Sequence, residues 1–311
     1  MPQSLSAIWA APCAAAAVGA GLFVHRRMRA WLPLLAPEVG RDAQQRTTPV
    51  VGLALLPVLL CWQLVHAKGV ALPSVTALLA LVGYLEGRRP PRGWVAQRQR
   101  AFASAAATAV LAAQHASFDV SFSFACAWLL AFVLVQATRA LDISVGVCAA
   151  VTAGTLLSNE WMFGMDDHSH AYVDWAALGF LPWSWPRSRV ALGACGSLAF
   201  GICVADAALG NLPLSTLAIS TNAVKFERAW DHRMLAALLL LPFSIQFVEF
   251  AHGLVMRISR RASSLPADAS CVARVASAFG LPALRVAPVL GAVAFAVTPC
   301  VAWWTGIGFR P

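Results

Sequence analysis

Long apolar runs recur along this chain from near its start to near its end, separated by short polar stretches rich in arginine, proline and glycine. A helix that crosses a bilayer needs about 20 predominantly apolar residues. Runs of that kind lie near 5–24, 49–66, 70–86, 101–117, 120–138, 143–160, 172–186, 190–209, 234–256 and 286–306. The pattern predicts an all-α, polytopic transmembrane bundle of about ten spans in one membrane domain covering residues 1–311. The run at 172–186 is short and ends in a Trp/Pro cluster. The apolar stretch 211–224 is too short to cross and reads as a re-entrant or interfacial piece.

Composition strengthens this picture. Hydrophobic residues make up 59% of the 311 positions and charged residues 12%. A soluble domain carries about 25% charged residues, so this chain has too few to cover a water-facing surface. The net charge of +9 is almost all arginine; the lysines are Lys68 and Lys225. These arginines sit in loops between apolar runs, which argues for topology and lipid headgroups rather than nucleic acid. The N-terminal run lacks a preceding basic region and is followed by Arg26, Arg27 and Arg29, as expected of an uncleaved first span with its N-terminus outside. Ten spans then put both termini on the extracytoplasmic side. That arrangement leaves 18 of the 23 basic residues inside, and Lys68, Lys225, Arg228, Arg233 and Arg310 outside. The eight cysteines show no CxxC or Cys/His spacing, and they read as small buried hydrophobes. No internal repeat is evident, which weighs against an inverted-repeat transporter.

Four inside-facing segments carry motifs in a definite order. The first is DAQQRTTPVVG, Asp42 to Gly52; the second is LVGYLEG, Leu81 to Gly87. The third is QATRALDISVG, Gln136 to Gly146. The fourth, Leu178 to Gly201, has Gly179, Phe180, Leu181, Pro186, Gly193, Gly196, Ser197 and Gly201 as landmarks. In this order and spacing the segments resemble those of the polyprenyl-phosphate sugar-1-phosphate transferases, bacterial glycosyltransferase family 4. The resemblance covers about residues 40–305. It implies an enzyme of the bacterial inner membrane that joins the sugar phosphate of a UDP-sugar to undecaprenyl phosphate. The reaction uses Mg2+ on the cytoplasmic face and starts a cell-wall or other envelope polysaccharide.

The chain departs from the family where the acids matter. Gly87, Val145 and Ala194 stand where the resemblance implies aspartates, Ala194 at the magnesium-binding position. The histidines of a late cytoplasmic loop are absent from about 257–285. Magnesium takes hard oxygen ligands, usually carboxylates together with substrate phosphates. Asp42, Glu86 and Asp142 are the carboxylates left to act as catalytic groups, and Arg46, Arg139, Arg187 and Arg189 are the candidates for holding phosphate. The favoured expectation is a diverged member with weak or lost transfer. An active Mg2+-dependent transferase with a rearranged acid set, and a lipid-carrier or solute transporter, stay open as alternatives. So do the plainer roles: Asp142 beside Arg139 suits an interfacial ion pair, Glu86 a solvated helix end, and Ser197 close helix packing. The partners implied are membrane lipid, polyprenyl phosphate and a UDP-sugar, with a second copy in a homodimer left open.

Two further polar features stand out. Asp166, Asp167, His168 and His170 form an external cluster that suits either a metal or plain solvated surface. Glu249 lies within a span with His252 three residues on, one face of a helix, and ionisable groups at that depth are functional candidates by default.

Overall fold

The computed structural model describes Gly19 and residues 51–66, 70–88, 94–115, 121–142, 147–163, 171–184, 192–211, 240–260 and 283–305. Within these the chain is helical, with no strand. Nine α-helices follow in order: α1 Val51–His66, α2 Ala71–Arg88, α3 Trp94–His115, α4 Ser121–Leu141, α5 Val147–Phe163, α6 Ala171–Ser184, α7 Gly193–Asn211, α8 Ser244–Arg260 and α9 Ala283–Thr305. A 3-10 turn, Leu241–Phe243, leads into α8. Each described helix lies on one of the expected apolar runs. Apart from Gly19 and Asn211, the first run and the 211–224 piece lie outside the described residues.

One boundary corrects the sequence reading. The arginines between the runs 70–86 and 101–117 read as part of a loop, but α3 begins at Trp94 and carries Gln97, Arg98, Gln99 and Arg100 in its first turns. Arginine and glutamine are good helix formers, so the helix continues past the point where its apolar run ends.

α7 is the hub. From Cys195 to Leu209 nearly every residue is buried, and α1, α2, α3 and α4 pack around it. Small residues let the backbones approach. A Cβ on Gly83 of α2 would run into the backbone of Ala194 and Cys195, and one on Gly201 would meet Val135 of α4 at 3.0 Å. Close crossing at glycine is how helices associate where no water drives them together. α5 and α9 cross in the same way, with Gly154 against the backbone of Gly291. Along α3 and α4, the Trp128 indole N–H donates to the Ala105 carbonyl at 2.8 Å.

The contacts also fix relative directions. Gly83 meets α7 at Ala194, whereas Gln63 of α1 donates both to Thr76 of α2 and to Cys203 of α7. α2 and α7 are therefore antiparallel, and so are α4 and α7. The ends of α2 and α4 and the starts of α5 and α7 gather at one end of the bundle. The end of α3 and the last turns of α7 lie at the other.

α8 departs from the pattern of a water-facing helix. α8 buries Gln246 and Glu249, 0% and 3% exposed, and turns out Val248, Leu254 and Val255 at 56%, 49% and 61%. Fully burying a side chain of that size is worth about 1.5–3 kcal/mol, and roughly half of that would be forfeited to water at each of the three. Ser123–Leu141 and Gly193–Gly210 are long and apolar enough to cross a membrane by length and composition. Ala71–Leu85, Val147–Ser158 and Val286–Val301 are shorter apolar helices.

Candidate functional site

The best-defined polar convergence involving the sequence candidates lies where α4 ends and α7 begins. Asp142 follows the last residue of α4, its own N–H bonded to the Arg139 carbonyl at 3.2 Å. Its carboxylate accepts hydrogen bonds from the backbone N–H groups of Gly193 and Leu192, with the Arg139 guanidinium nearby. Gly193 opens α7 with a φ of 71°, a left-handed conformation that glycine adopts freely. The first N–H groups of a helix have no partner within it, and they carry the positive end of its dipole. Asp142 therefore caps α7 from a neighbouring helix.

Asp142 keeps some solvent contact, but its carboxyl is closely surrounded by protein. Burial pushes it up from 3.8 to about 7, against the opposing pull of the Gly193 and Leu192 N–H groups and of Arg139. A carboxyl poised there suits general acid–base work. It also makes a stability prediction. The folded state holds this proton more tightly than the unfolded chain does. The resulting stabilisation is complete below pH 3.8 and is lost as pH rises through about 7. Melting curves in detergent from pH 4 to 8 should show the wild-type protein losing stability relative to Asp142→Asn across that window. Parallel curves would contradict the assignment.

Other candidates gather around the same end. Glu86 lies in the last turn of α2, three residues beyond Gly83, which packs on Ala194 and Cys195. Ala194 sits in the first turn of α7 and offers no carboxylate there. The Cys148 thiol at the start of α5 bonds to the Thr138 carbonyl at 3.4 Å. Three of the four motif segments, those carrying Glu86, Asp142 and Ala194, are thus brought together. Arg139 is half-buried in the last turn of α4. Ser197 spends its hydroxyl on its own helix, donating to the Gly193 carbonyl at 3.0 Å, as a packing residue does. Asp42, Arg46, Arg187 and Arg189 lie outside the described residues, as does the Asp166–His170 cluster. Among the described residues no three His, Cys, Asp or Glu side chains are grouped to hold a metal.

The structure adds two polar ties that the apolar-run reading missed. His115 Nε2, at the end of α3, lies 2.7 Å from Asp206 Oδ1 in α7. Gln63 Nε2 reaches Thr76 Oγ1 at 3.0 Å and Cys203 Sγ at 3.4 Å, one turn along α7 from Asp206. The signal for the first was present: Asp206 is the one acid inside the run 190–209. An acid at that depth calls for a partner. No protein-family model matches the chain, and no curated protein is significantly similar to it.

Proposed function

We propose that this chain is a multi-pass protein of the bacterial inner membrane, with about ten spans and both termini outside. In this reading it is a diverged relative of the polyprenyl-phosphate sugar-1-phosphate transferases that retains a phosphate-holding groove and has weak or no transfer activity. One observation carries the reading. The segments that end α2, end α4 and open α7 are scattered over more than 100 positions, yet they meet at one end of the bundle. Where the family would gather carboxylates around Mg2+, this meeting point has Ala194, and Asp142 is engaged as the cap of α7. Positioning and charge neutralisation dominate phosphoryl transfer, so losing metal ligands costs rate before it costs binding.

Binding can therefore be tested apart from turnover. Purified protein titrated with undecaprenyl phosphate and followed by native mass spectrometry should retain about one lipid per chain. Arg139→Gln should weaken retention about 10- to 150-fold, as expected on losing one charge-assisted contact worth about 1.5–3 kcal/mol. No preference for the phosphorylated lipid over undecaprenol would remove the groove from the account. The neutral-range titration of Asp142 favours a second reading, active transfer with Asp42, Glu86 and Asp142 as a rearranged acid set. Under it, Asp142→Asn abolishes product while the protein still folds.

A further inference from the structure

At the meeting point of α2, α4 and α7 a negative charge is already built into the protein. Asp142 accepts hydrogen bonds from the Leu192 and Gly193 N–H groups, and the Arg139 guanidinium acts on it from the last turn of α4. From α5, the Cys148 thiol lies close enough to feel that charge, while donating to the Thr138 carbonyl. An added phosphate would therefore meet a carboxylate of like sign, and an arginine whose charge that carboxylate already balances. Such interactions are strong where protein rather than water separates the charges. Once Asp142 takes a proton, the opposition disappears and the charge of Arg139 is released. The neutral carboxyl still accepts from an α7 N–H group through its carbonyl oxygen. The cap survives the change in part, so no helix needs to move.

We propose that Asp142 is an internal competitor of phosphate: its carboxylate closes the Arg139 site and its protonation opens it, so that the groove takes up a proton together with a lipid phosphate. This rests on the phosphate-holding reading above and adds its control. Two observations bring the exchange into the neutral range. Asp142 is half-buried just past the end of its helix, so it keeps contact with solvent. Burial of its carboxyl brings it up to about 7. Apparent affinity scales with the fraction of protein competent to bind. For a group titrating near 7, the protonated fraction falls about ten-fold between pH 6 and pH 8. Other ionisable groups on the helices that pack around α4 and α7 are Glu86 and Arg88 on α2, Arg98 and Arg100 on α3, and Glu249 and His252 on α8. They are common to wild type and to a variant at position 142, so they cancel in that comparison.

The test uses the full chain in detergent and two probes: undecaprenyl phosphate, and a dialkyl phosphate, a diester whose single charge is constant across neutral pH. Binding of each is measured at pH 6 and pH 8. Wild-type affinity for the diester should fall about ten-fold between the two, whereas Asp142→Asn should bind almost equally at both and exceed wild type about ten-fold at pH 8. With undecaprenyl phosphate the ratio of variant to wild-type affinity should change by the same factor, because titration of the lipid is common to both proteins. Calorimetry of the wild type at pH 8, in two buffers of different ionisation enthalpy, should show about one proton taken up per diester bound. That measurement decides the matter if Asp142→Asn fails to fold. The same pH dependence in wild type and variant, or binding without proton uptake, would overturn the control by Asp142 and leave the groove standing. Binding of neither lipid by either protein at either pH would overturn the groove and its control together.

Discussion

Replacing Gly83 with leucine is expected to dismantle the α2–α7 crossing. Even a Cβ at this position would collide with the backbone of Ala194 and Cys195, and backbone cannot rotate away as a side chain can. Overpacking a close-packed core typically costs 1–3 kcal/mol, and a branched side chain against main chain belongs at or above the top of that range, about 3 kcal/mol or more. The damage extends past packing. Ala194 is the second residue of α7, so displacing it moves the Leu192 and Gly193 N–H groups away from Asp142. The cap and the close approach should therefore fail together. The expected result is a sharp fall in the melting temperature in detergent and loss of the sloping pH profile attributed to Asp142. Gly210→Ala is the matched control. At that position only the His115 ring, 3.9 Å from the new Cβ, comes near, and removing a glycine from a helix is neutral or mildly stabilising.

The second large effect is expected at His115→Ala. The His115–Asp206 contact of 2.7 Å ties the end of α3 to the hub helix, with the two side chains 23% and 11% exposed. Removing one member of a fully buried pair costs about 3–5 kcal/mol because the other is left without compensation. The partial exposure of His115 lets water take up some of that penalty, so about 2–3 kcal/mol is expected. The sign of the coupling is the informative part. Asp206→Asn should cost less when added to His115→Ala than it does alone, since the contact it breaks is then already gone. Melting temperatures of both single variants and the double variant close the cycle. Strict additivity would show that the two side chains do not interact.

The helices were legible in the sequence because apolar runs near 20 residues long leave few alternatives, and each described helix overlaps such a run. The start of α3 was not legible. Gln97 to Arg100 are polar yet helical, and a reading keyed to hydrophobicity ends where the apolar run ends rather than where the helix does. The candidate site was readable as a set of ordered motifs. The role of Asp142 was not, because a cap supplied across 50 positions by another helix leaves no local mark. His115 and Asp206, 91 positions apart, were invisible as a pair for the same reason. Glu249 and His252 were visible as polar residues within an apolar run. What could not be read was that Gln246 beside them bonds to Thr155 and leaves its oxygen bare.

The central claim is that the meeting point of α2, α4 and α7 holds a lipid phosphate without transferring sugar phosphate efficiently. Its most direct test is a transfer assay on the purified protein with undecaprenyl phosphate and a panel of UDP-sugars, with and without Mg2+. The account predicts little or no lipid-linked product with any UDP-sugar, and no marked gain on adding Mg2+. Robust, magnesium-dependent formation of a lipid-linked sugar would contradict it.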